Sequence, residues 1–82
     1  MKPKTLRIQV TLRQHLEQIG VSAYMLGKMT NQVSPQTIYA IANGSRKPSL
    51  EALEAILNAL HQQGFSTTLE DLIFVESEPF NP

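Results

Sequence analysis

Between Thr5 and Val10 apolar and polar positions alternate, with Leu6, Ile8 and Val10 set against Arg7 and Gln9. That is the period-two pattern of a half-buried strand. From Leu12 the period lengthens. Leu12, Leu16 and Ile19 fall on one face of a helix about two turns long, with Thr11 and Gln14 spaced as a capping box and Gly20 as its stop. Ser22 is placed to cap a second helix with Met25, Leu26 and Met29 turned inward, and Thr30-Asn31-Gln32 has the polar character of a turn. Ser34-Pro35 is the strongest local signal in the chain. The serine satisfies an orphan amide, and proline at the first helical position has the right φ and no amide to waste. The helix it opens carries Ile38, Ile41 and Ala42 toward a core and ends at Asn43-Gly44.

After a basic connector, Ser45-Arg46-Lys47-Pro48, Ser49 caps a fourth helix with Glu51 in its first turn and Gly64 at its end. Leu50, Leu53, Ile56, Leu57 and Leu60 give it a broad apolar stripe that can close a bundle. Thr67 and Glu70 predict a further capping box and about one helical turn through Leu72. The β-branched and aromatic run Ile73-Phe74-Val75 then reads as a strand. A lone two-stranded ribbon is marginal, so residues 73 to 76 are expected either to pair with 5 to 10 on the bundle or to pair across a dimer. Residues 77 to 82 read as a frayed tail. The expected fold is mainly α, five helices with short terminal strands, in a single domain spanning 1–82.

Eighty-two residues hold one small core, and no cysteine is present to add a disulfide. A domain of this size hides only ~60% of its unfolded surface, which makes a homodimer a reasonable expectation. The missing cysteines remove thiolate zinc sites and thiol redox chemistry, and His15 and His61 stand on different helical segments. No metal and no cofactor are expected. No apolar stretch approaches a membrane span, so the expected location is the cytoplasm.

Charge changes the picture. The formal net charge is zero, yet all seven basic residues precede Glu51 with one acid, Glu17, leaving +6 in residues 1 to 50. The remainder holds six acids and no base, leaving −6. Such asymmetry would offer one basic surface to a polyanion and turn an acidic one away.

Two short helices joined by a tight turn, with a preceding helix to bury their inner faces, form a helix-turn-helix, here from Ser22 to Asn43. In that arrangement the N-terminal half of the second helix meets base edges in the major groove. Gln36 is the best single base reader, because a glutamine can bond bidentately to adenine. Ser34 and Thr37 are open to capping, phosphate contact or base contact, and Tyr39 to the sugar-phosphate backbone or simple packing. Asn43, Ser45, Arg46 and Lys47 would lie near a phosphate strand, and Lys28 on the outer side of the second helix could do the same.

Gly20-Val21-Ser22, Leu26-Gly27, Val33-Ser34, Thr37-Ile38, Gly44 and Pro48-Ser49-Leu50 resemble the lambda-repressor/Cro class of helix-turn-helix regulators over about residues 11 to 73. The resemblance implies a five-helix domain that binds operator DNA, usually as a two-fold dimer. It puts Gln36 and Ala40 at base-facing sites and Asn43, Ser45, Arg46 and Lys47 in the phosphate loop. Four departures stand out. The Thr30-to-Val33 turn is one residue longer and lacks the customary glycine, Ala23 stands where a phosphate-gripping glutamine is frequent, Ala42 replaces a glutamate, and Gly27 replaces an alanine, which allows close helix approach but weakens the second helix by roughly 1 kcal/mol.

Catalysis has no convergent acid, base or nucleophile to support it. His15 reads as a helix-edge residue and His61 as a partner for a helix C-terminus. The rival class is a protein-interaction module, such as an antitoxin-type subunit docking a protein partner through the strand edges and the acidic C-terminal region with Phe74 and Phe80. DNA binding predicts affinity that falls steeply with salt, and a pure interaction module predicts none.

Overall fold

The computed structural model describes residues 5–78. Strand β1 (Thr5–Val10) leads into five helices: α1 (Leu12–Ile19), α2 (Ala23–Met29), α3 (Pro35–Ala42), α4 (Leu50–Gln62) and α5 (Leu69–Leu72). Strand β2 (Ile73–Glu78) then returns along β1. The two strands form an antiparallel ribbon with Val10 opposite Ile73, Ile8 opposite Val75 and Arg7 opposite Glu76. Of the two pairings open to residues 73 to 76, the intramolecular one is present. The strand runs two residues further than expected, so 77 and 78 belong to β2, and 79 to 82 lie outside the described residues.

Three helices start where a serine can accept an amide. Ser22 accepts from Met25, Ser34 from Thr37 and Ser49 from Ala52, each through its hydroxyl at 3.0 to 3.2 Å. Each bond satisfies one of the orphan donors of a first turn, a contribution of about 1 kcal/mol. The inner faces of these helices meet in one core. Leu12 and Leu16 come from α1, Leu26 from α2, Ile38 and Ile41 from α3, Leu53, Ile56 and Leu60 from α4, and Leu72 from α5. Met29, Ala42 and Leu57 pack against its margin.

Several expectations are corrected. Thr11 makes no cap bond to α1. Its hydroxyl donates to the carbonyl of Asp71 and its amide to that of Leu72, so it joins the first helix to the last. Met25 is 48% exposed, and α2 instead buries Leu26 and Gly27. Leu50 stands 83% exposed at the first position of α4, ahead of the stripe it was expected to join. The cap of α5 is shifted by one residue. Thr68 and Asp71 form the box, with the Thr68 amide and hydroxyl donating to the Asp71 carboxylate at 2.9 and 3.2 Å. Thr67 is released from capping and buried. His15 Nε2 lies 2.8 Å from its hydroxyl and His61 Nε2 2.6 Å from its carbonyl oxygen. Both histidines are thus structural ties onto one residue.

The strand alternation also had a surprise. Leu6, Ile8 and Val10 do share a face, but only Val10 is partly buried, and Leu6 and Ile8 are 66% and 67% exposed. The ribbon leaves the bundle after its last rung.

Candidate nucleic-acid interface

Helices α2 and α3 are the most closely packed helix pair, and one glycine makes that approach possible. A Cβ on Gly27 would collide with Pro35 Cγ and stand 2.6 Å from its Cα. An alanine has no room here, because the first residue of α3 sits directly on α2. The turn between them dispenses with a left-handed residue. Thr30 is extended, at φ −114 and ψ 141, its amide still bonds Leu26, and its hydroxyl accepts from the Gln32 amide at 3.2 Å. Val33 is buried and anchors the end of the turn. The extra residue is absorbed by extended backbone and a short side-chain turn.

At 100° per residue, burying Ile38 and Ile41 commits the opposite side of α3 to solvent. Gln36, Ala40 and Asn43 fall in line there, with Tyr39 beside them. Gln36, Tyr39 and Asn43 are exposed and Ala40 is half-buried. Thr37 lies at the edge of this face, half-buried. Its hydroxyl accepts from Ser34 at 3.0 Å, and its amide caps on the same serine. Ser34 is therefore already engaged as a cap and Thr37 as its partner, while Gln36 has no such local task among the hydrogen bonds of α3.

The basic loop is hooked to the C-terminus of α3. The Gly44 amide bonds the Ile41 carbonyl, while the Ser45 and Arg46 amides both bond the Ala40 carbonyl, at 2.9 and 3.2 Å. This is a Schellman closure, which needs a left-handed residue at Gly44, found at φ +84. The Ser45 amide also donates to Asn43 Oδ1, 2.9 Å. Arg46 and Lys47 emerge from this closure exposed, beside an open cleft of about 450 Å³ shared with Ser34, Thr37 and Ser49. Glu51 stands on the same cleft. The charge division along the sequence is therefore incomplete in space, with one acid of the second half facing the basic loop.

Lys28, in the last turn of α2, lies 5.3 Å from the centre of the Tyr24 ring. Tyr24 itself was missed in the sequence, although its i, i+4 spacing to Lys28 could have signalled the pair. Arg13 was missed too. It pairs with Glu17 at 3.3 Å and borders a groove with Tyr39 and Asn43, which carries the exposed face of α3 over to α1.

The sequence profile of the helix-turn-helix family, of the XRE-like lambda repressor/Cro type, matches residues 12–62. The chain belongs to this helix-turn-helix family. The match takes in α1 through α4, including both helices of the motif and the basic loop, and leaves the ribbon and α5 outside. Membership makes the chain a DNA-binding helix-turn-helix protein of the regulator type. Comparisons with curated proteins and with solved structures give no match. Among the described residues, no helix is long and apolar enough to cross a membrane.

Proposed function

We propose that this helix-turn-helix protein is a sequence-specific transcriptional regulator acting as a repressor, a cytoplasmic homodimer that lays α3 in the major groove of duplex DNA. The observation that carries the proposal is the continuity of two surfaces. The exposed line Gln36, Ala40, Asn43 on α3 runs directly into the Schellman-closed loop bearing Ser45, Arg46 and Lys47. A helix that seats its first turns on base edges thereby brings two exposed cations to the adjoining phosphates.

In this reading Gln36 bonds an adenine edge, and Thr37 and Ala40 sit against neighbouring base edges and thymine methyls. Ser34, Tyr39, Asn43, Ser45, Arg46, Lys47 and, from α2, Lys28 hold the sugar-phosphate strands. The proposal contains no catalytic step, in keeping with two histidines already committed to Thr67. The exposed apolar ribbon supports a second reading, an interaction module that docks a protein partner.

The test is selection from random-sequence duplexes at ~50 mM salt, followed by salt titration of the enriched DNA. Repeated half-sites and affinity that falls steeply with salt are expected. Gln36→Ala should then lose affinity at particular base positions, by a factor of roughly 10. Arg46→Ala should lose it on every sequence and lower the salt slope by about 1. Equal, sequence-independent losses in both variants would remove Gln36 as the reader, and an absence of salt-sensitive binding would leave the interaction module.

A further inference from the structure

Ribbon residues separate by face. Leu6, Ile8 and Val10 project to one side with Ile73 and Val75 opposite them, and Arg7, Gln9, Phe74 and Glu76 project to the other. The first side is apolar over the two rungs Ile8–Val75 and Val10–Ile73, and at the third rung Leu6 stands opposite Ser77. It opens onto a groove of about 540 Å³ whose far wall is Leu50 and Leu53 at the start of α4, with Lys47 and Pro48 at its rim. Leu6, Ile8, Val75 and Leu50 are 66%, 67%, 55% and 83% exposed. Those exposures amount to roughly 400 Å² of aliphatic surface, comparable to the largest patch of a typical monomer, which is often functional.

We propose that this face is the dimer interface: a second copy of the chain packs its own ribbon face and Leu50 against it about a two-fold axis. The inference rests on the homodimer of the proposed function and locates it. Area favours it, because two such patches bury roughly 800 Å² from these four residues alone, and their rims bring the total toward the ~1,200 Å² of a stable interface.

Coverage selects the mode. The open edges of the ribbon could also pair, but two-fold pairing of either edge with itself leaves Leu6, Ile8, Val75 and Leu50 exposed, and pairing β1 with β2 gives a head-to-tail contact that does not close. The apolar ribbon face itself carries no charged residue, and Lys47 and Arg7 border the groove it opens onto. A whole-chain formal charge of zero removes long-range repulsion between copies.

The experiment is sedimentation velocity of the full chain without DNA across a concentration series, for the unaltered protein, Ile8→Glu, Leu50→Glu and Phe74→Glu. The unaltered protein should sediment as a dimer. Ile8→Glu should weaken association by a factor of roughly ten or more while the helical circular dichroism is kept. Leu50→Glu should do the same, and it places an acid where a helix N-terminus favours one, so it retains the test if Ile8→Glu loosens the ribbon. Phe74→Glu, on the other face, should remain dimeric.

A protein monomeric at every concentration would overturn the proposal and assign the patch to a different protein. Dimers that survive both Ile8→Glu and Leu50→Glu, or that are lost in Phe74→Glu, would overturn it by moving the interface. Operator binding is measured separately on the same samples. A dimer without DNA affinity defeats the DNA reading alone, and a monomer that binds single half-sites defeats the interface alone.

Discussion

Gly27 shows how a residue that lowers helix propensity can still be required. Alanine there would favour α2 by roughly 1 kcal/mol if only the helix counted. The added methyl, however, meets Pro35 backbone atoms at 2.6 to 2.7 Å, and a backbone cannot swing away as a flexible side chain can. Gly27→Ala is therefore expected to destabilise the fold by about 1–3 kcal/mol in urea unfolding. A variant as stable as the parent would mean that α3 is free to slide on α2. The presence of the glycine was visible in the sequence, and so was its allowance for close approach. The atom it accommodates was not, because Pro35 reaches it only through a turn whose path depends on Thr30 and Val33. Gln36 is the opposite case: helical phase alone, counted from Ile38 and Ile41, turns it outward.

Among the elements, those begun by a local signal were legible and those held by distant contacts were not. Ser22, Ser34 and Ser49 each cap the helix expected of them, since a cap bond spans three residues and needs no tertiary help. Over the seven residues of α2, spacing could not decide between Met25 and Gly27 as an inward position. At α5 two adjacent threonines offered two registers for one box, and burial of Thr67 between His15 and His61 decides for Thr68. The capping carboxylate has a measurable consequence. Hydrogen bonds from the Thr68 amide and hydroxyl, with a smaller contribution from His15, hold Asp71 below its ordinary value of 3.8 against opposing desolvation. A carboxyl depressed in the folded state stabilises fully above its unfolded pKa, near 4, and loses that contribution as pH falls through the folded value. The melting-temperature gap between the parent and Asp71→Asn should accordingly be widest near neutral pH and narrow as pH falls below the ordinary carboxylate range. A gap of constant size through this range would show that the charge of Asp71 does not strengthen the cap.

At the scale of the whole molecule, the principal extents of 47 × 24 × 21 Å describe a small bundle and a projecting ribbon. Alternation in β1 indicated that one face was apolar but carried no information about what covers it. Residues 11–72 separate the ribbon's two strands, so pairing them closes a long loop from Val10 to Ile73. The contacts of α2 with α3 close only a short one. Loop closure is an entropic cost that must be met before distant pairs contribute. The helices are thus expected to assemble first and the ribbon last. Stopped-flow kinetics should show Ile73→Ala speeding unfolding with little change in folding rate, a φ-value near zero, and a value near one would reverse the order. During synthesis the same order holds for a simpler reason. β1 is made before all five helices and β2 after them, so the interface proposed above, which needs Leu6 and Ile8 beside Val75, could form only once the ribbon has closed.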